Sequence, residues 1–159
     1  MITNIVILSH EHEAVFVAEL VQHLKASPLK NSIMVFSTAD ILASDGTDIL
    51  DAELQKANIA MVVLSSQYLS DDILSELRNI AIEMHEADKL ETLQILARSV
   101  YVEIIKTKKP LKMIPLEGTL ASQTNRDVIY VQVIDFVLDK IELIKLKIEV
   151  MRLMKELGK

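Results

Sequence analysis

The sequence predicts a doubly wound α/β fold: a parallel sheet of about five strands, helices on both faces, and one extended helix at the C-terminus. Two observations predict it. Short apolar runs of strand length alternate with amphipathic stretches, and those runs are rich in β-branched residues and almost free of polar ones, as in strands buried on both faces of a parallel sheet. The chain of 159 residues is also long enough to bury a core unaided, and without Cys it can form neither a disulfide nor a thiolate metal site.

Residues 4–8 are the first strand, followed by a helix whose stripe is Ala14, Val17, Ala18, Val21 and Leu24 and which ends before Pro28. Residues 32–36 are the second strand. Thr47 is placed to cap a second helix over 48–57, and residues 59–64 are a third strand. Ser70 is placed to cap a third helix, with Asp71 and Asp72 in its first turn, where the helix dipole favours negative charge. The order βαβαβα is that of a doubly wound sheet.

The next stretch, 90–109, is expected to be helical from Leu93, Leu96, Ala97, Val100 and Ile104, although 100–105 is β-branched enough for a strand. A fourth strand is expected at 111–116 and a short fifth at 128–133, VIYVQV. From 135 to 157 the pattern is helical. Leu143, Leu146, Val150, Leu153 and Leu157 make a heptad seam, with Ile141, Ile144, Ile148 and Met151 as a second stripe beside it. The expected organisation is an α/β domain over 1–138 and a helical extension over 139–159 that contacts another copy or a partner.

Charge and glycine content exclude several functions. Lys plus Arg number 17 against 23 Asp plus Glu, a net charge of −6, so a general nucleic-acid binder is not expected. The small cluster Lys106, Lys108, Lys109 and Lys112 reads as a solvated loop. Three glycines, Gly46, Gly118 and Gly158, cannot make a GxGxxG turn or a P-loop. His10 and His12 flank Glu11, but alternate residues of an extended segment face opposite ways and there is no HExxH, so no metal is expected. Nothing reads as a signal peptide or a membrane span, and a cytoplasmic protein is the expectation.

Ser9, at the end of the first strand, lacks a GxSxG context and reads as a cap or a ligand-facing hydroxyl. The carboxylates are more informative. Ligands of open α/β sheets bind beyond the carboxyl ends of the strands, and the third helix begins at that edge. Asp72 and Glu76 are four residues apart and share one face of it; taken alone, Glu76 is a surface glutamate.

The segment VVLSSQYLSDDILSEL resembles the third conserved stretch of Toll/interleukin-1 receptor (TIR) domains, an apolar strand, a Ser, an aromatic residue and then S-x-W-C-x-x-E-L. NIVILSHEHEAVFVAELVQHL resembles the family's first box, FSTADILASDGTDILDAELQKANIAMVVLS its second strand, glycine-bearing BB loop and following helix, and KMIPLEG its fourth strand. These matches span residues 1 to about 140 in the family's order and resemble a divergent, bacterial-type member with a flavodoxin-like sheet. Asp72 and Ile73 stand where the family has Trp and Cys, His12 stands where it has Asp, and the aromatic C-terminal box is not recognisable.

The resemblance implies an NAD glycohydrolase, cleaving the nicotinamide N-glycosidic bond with NAD as substrate and no cofactor, activated by self-assembly in defence or as a toxin effector. Glu76 matches the family's catalytic glutamate. Ser9, His10, Phe36, Asp45, Gly46 and Asp72 are carried over as substrate contacts. Assembly through the BB loop and the C-terminal helix is implied, with a sensor or adaptor protein as a further partner. A non-catalytic TIR adaptor is the alternative reading, and a nucleoside deoxyribosyltransferase-like enzyme a further one.

Overall fold

The computed structural model describes residues 1–40 and 47–158. Five strands, β1 (Thr3–Leu8), β2 (Ile33–Ser37), β3 (Ile59–Leu64), β4 (Glu91–Leu96) and β5 (Lys112–Ile114), form one parallel sheet in the order β2-β1-β3-β4-β5. The helices are α1 (Ala14–Ala26), α2 (Thr47–Lys56), α3 (Ser66–Ser70), α4 (Asp72–Glu86) and α5 (Asp127–Leu157).

Alternation along the central strands sorts the core into two layers. Ile5, Ile7, Ile59, Met61 and Val63 point to the face covered by α1 and α5, where Leu20, Tyr130, Val133 and Val137 pack on them. Val6, Leu8, Ala60, Val62 and Leu64 point to the other face, covered by Leu54 of α2, Tyr68 of α3 and Leu74, Leu77 and Ala81 of α4. β2 is an edge strand, and Met34 on it is 64% exposed, so it is not buried on both faces as β1 and β3 are.

Three expectations are corrected. Residues 91–96 are strand β4, not part of a helix, and 97–111 has no regular structure. β4 carries Glu91, Thr92 and Gln94 on a buried strand because each has a partner distant in sequence. Lys109 pairs with Glu91 at 2.8 Å, the Thr92 N–H donates to His85 Nδ1 at 3.1 Å, and Arg78 donates to Gln94 Oε1 at 2.9 and 2.7 Å.

Residues 128–133 open α5 instead of forming a strand. Ile129, Tyr130 and Val133 are buried while Val128 and Val131 are exposed, a helical and not an alternating pattern. Ser70 ends α3, and Asp71 caps α4 by accepting the Leu74 N–H at 3.0 Å. The Thr47 side chain lies outside what is described. The sheet still has five strands because β4 takes the place of the strand expected at 128–133.

The 31-residue α5 runs unbroken past the expected boundary at 138/139, and its last buried residue is Ile141. At the far end of α4, Asp88 adopts φ 58°, while the N–H groups of Asp88 and Lys89 donate to the carbonyls of His85 and Met84 in a Schellman-type turn. Hydrogen bonds from Lys147 and Lys109, each at 2.9 Å, hold the Asp88 carboxyl down at about 2, against 3.8 for an ordinary aspartate. The folded state therefore binds this proton more weakly than the unfolded one, so the contribution is present above about pH 4 and lost as pH falls toward 2. Because the side chain is 58% exposed, screening keeps the gain below ~1 kcal/mol. Asp88→Asn is expected to flatten that acid limb, measured as urea stability between pH 5 and pH 2.

Candidate functional site

In the order 2-1-3-4-5 the chain winds one way from β1 to β2 and the other way from β3 onward, so the switch point lies between the carboxyl ends of β1 and β3. Ser9 follows β1. Its buried hydroxyl stands 3.0 Å from Thr38 Oγ1, while the Thr38 hydroxyl donates to the Ser9 carbonyl at 2.8 Å and the Ser9 N–H donates to Thr38 Oγ1 at 3.2 Å. With the Thr38 proton committed to the carbonyl, the Ser9 hydroxyl is the donor between the two side chains. Ser9 therefore clamps the end of β1 to the turn after β2, and among the described residues no base is placed to make it a nucleophile. His10 Nδ1 accepts the His12 N–H at 3.0 Å, which puts the ring proton of the neutral form on Nε2.

Beyond β3, Ser65 starts α3 by accepting the Tyr68 N–H at 3.1 Å. Tyr68 is fully buried and donates its hydroxyl to the Leu74 carbonyl at 2.8 Å, and Ser75 Oγ donates to the Leu69 carbonyl at 3.1 Å. Burial pushes the Tyr68 phenol far above its usual range against the opposing pull of Arg78, so it is a neutral donor at any working pH. These bonds fix α3 against the first turns of α4, and with them the direction in which α4 presents Asp72 and Glu76. Tyr68→Phe removes this buried hydrogen bond while the Leu74 carbonyl keeps its helical partner, the Arg78 N–H, and is expected to cost ~1 kcal/mol in chemical denaturation.

Asp72 and Glu76 are exposed and open into a groove of about 380 Å³ between α2 and α4, lined also by Asp48, Asp51, Ile73, Leu77 and Ile80. Among the described residues, Glu76 has neither a hydrogen bond nor an ion pair, and no Lys or Arg lines the groove. The floor is apolar and the walls carry four carboxylates, an arrangement suited to a ligand with an apolar or aromatic body and positive charge. Phe36 is half-buried on the same sheet face as the α2 and α4 core, but neither it nor Ser9 nor His10 lines this groove. Asp45 and Gly46 lie outside the described residues. Asp48 and Asp51, missed in the sequence, sit three apart on α2 in DILDAEL, which could have flagged a shared acidic face.

No protein-family model matches the sequence, and no curated protein matches it. The TIR domain of the Toll-related receptor TRR-2 from Hydra magnipapillata superposes with a TM-score of 0.59 at 14% identity, over 86% of this chain and 98% of that one. The fold is that of a TIR domain. The TIR domains of the activated Roq1 resistosome, which recognises the pathogen effector XopQ, give a TM-score of 0.47 at 23% identity, over 58% of this chain and 57% of that one. In this TIR fold the acidic groove flanks α4, the second helix after the switch-point strand β3. No described helix is long and apolar enough to cross a membrane, and among the described residues no cluster of three or more His, Asp or Glu side chains could hold a metal ion.

Proposed function

We propose that the chain is a TIR-type NAD glycohydrolase in which the Glu76 carboxylate stabilises the sugar cation formed as the nicotinamide N-glycosidic bond breaks. The observation that carries this reading is the Glu76 carboxylate, unpartnered among the described residues and exposed in an acidic groove on α4, the second helix after the switch-point strand β3. Its place in DDILSEL, where the resembling motif has its glutamate, supports the same assignment.

The chemistry suits the charge. NAD carries a positive nicotinamide ring, and bond cleavage develops positive charge on the ribose, so anions beside the scissile bond favour both binding and reaction. Nicotinamide departs as a neutral base and needs no general acid. The same carboxylates repel the pyrophosphate, so the substrate lies with its nicotinamide riboside toward Glu76 and its phosphates away from the groove, toward the end of β1 where His10 offers its Nε2–H. Self-assembly, a sensor or adaptor partner, and a role in defence or as a toxin effector belong to this reading.

The test is nicotinamide release from NAD by purified protein, at low and at high concentration, with Glu76→Ala alongside. Release that rises with concentration and vanishes in the variant supports the proposal. A second reading, a non-catalytic TIR adaptor, is favoured by the lack, among the described residues, of any Lys or Arg lining the groove to neutralise a pyrophosphate. No release from demonstrated oligomers would decide for the adaptor, and base release from free deoxynucleosides alone would point to a deoxyribosyltransferase-like enzyme.

A further inference from the structure

The C-terminal half of α5 carries an apolar stripe that the domain does not use. Beyond Ile141, Leu146 and Leu153 are 61% and 45% exposed, Val150 is 45% exposed and Leu157 87%. At 3.6 residues per turn, the seam Leu143, Leu146, Val150, Leu153 and Leu157 lies ~165° around the helix from the face that buries Tyr130, Val133, Val137 and Ile141. The other stripe faces the domain: Ile144, Ile148 and Met151 line a shallow recess with Leu90 and Asp88, with Ile148 and Met151 still 51% and 71% exposed.

We propose that this seam forms a parallel two-stranded coiled coil with a second copy of the same chain. The seam fits heptad positions a (Leu143, Val150, Leu157) and d (Leu146, Leu153), with a β-branched residue at the central a position between leucines at d, which favours two parallel strands. The flanks select both partner and direction. Position g is Glu142, Glu149 and Glu156 throughout, while position e is Lys147 and then Met154.

In a parallel pair g faces e of the next heptad, so Glu142 meets Lys147 of the second copy on both sides of the seam, and Glu149 meets the uncharged Met154. In an antiparallel pair g faces g, and the glutamates oppose one another. The Lys147 ammonium already holds Asp88 at 2.9 Å and has a further proton for Glu142 of the second copy. Arg152, on the outside, is taken up within its own helix by Glu149 and Glu156. The seam is about two heptads long, so pairing is modest in strength and concentration-dependent. This inference does not depend on NAD cleavage.

The test is sedimentation of the full chain from low micromolar to near-millimolar concentration. A monomer–dimer equilibrium is expected, weakened at least ~10-fold by Leu146→Glu or Leu153→Glu, with circular dichroism and the melting transition unchanged because both residues are exposed. Glu142→Lys should weaken the dimer, and adding Lys147→Glu to the same chain should restore it. Orientation is read by oxidising Leu157→Cys, whose thiol is the chain's only one: it joins its own counterpart in a parallel pair and faces position 146 in an antiparallel one. A chain that stays monomeric throughout, a dimer indifferent to both Leu→Glu changes, or a thiol at 157 that crosslinks only to one at 146 would each overturn the proposal.

Discussion

Glu76→Gln is expected to lower nicotinamide release by ~10²–10³-fold, the usual loss when one preorganised electrostatic group is removed from a developing charge. Its stability should stay within ~0.5 kcal/mol of the parent, because Glu76 is exposed and unpartnered among the described residues. The neighbouring acids supply a control. Asp51 and Asp72 share the groove, so Asp51→Asn and Asp72→Asn weaken the same field from farther away and should cost severalfold, mostly in KM. If all three changes cost the same, Glu76 does not touch the reacting sugar and the groove acts only as a diffuse anionic surface. Unfolding of the Glu76 variant would instead give it a structural role, which circular dichroism and a melting curve would reveal.

Arg98→Ala is expected to destabilise the fold by ~3 kcal/mol or more, the largest stability loss foreseen for a single polar side chain here. Glu13 follows β1 with its side chain wholly buried, and Arg98 Nε donates to both its oxygens at 3.0 and 3.2 Å. Removing the guanidinium strands that carboxylate without a counter-ion among the described residues and also takes one of two cations from the Phe16 ring, leaving Arg126 at 5.2 Å. Glu13→Gln should be milder, ~1–2 kcal/mol, because Arg98 is 45% exposed and keeps its access to water. Urea titrations of the two variants decide the matter: equal losses would mean that the buried carboxylate is not the costly partner.

β1 and β3 are legible because IVIL and IAMVVL are apolar at every position, and such runs have to be covered on both sides, whatever their partners. β4 is not, because ETLQIL becomes a buried strand only through Lys109, His85 and Arg78, contacts that bridge 7 to 18 positions of sequence. Its leucines and the apolar residues after it happened to fall at helical spacing. The opening of α5 misled in the opposite sense, since VIYVQV has β-branched residues in alternation, yet burial follows the helical repeat. At the site, Asp72 and Glu76 could be paired from spacing alone. The link between Ser9 and Thr38 spans 29 residues, and the approach of Asp48 and Asp51 to Glu76 depends on how α2 packs on α4, so neither follows from local pattern.

The sheet separates the two activities proposed for this chain. Glu76 rides on the layer anchored by Val6 and Leu8, and α5 on the layer anchored by Ile5 and Ile7, with the same strands as the wall between them. Such a close-packed wall has little slack through which a push on one side could move the other. The proposed pairing through α5 would therefore inform the groove by raising the local concentration of neighbouring domains and aligning their exposed edges, so a message from tail to carboxylate would travel around the molecule, by way of its neighbours, and not through it.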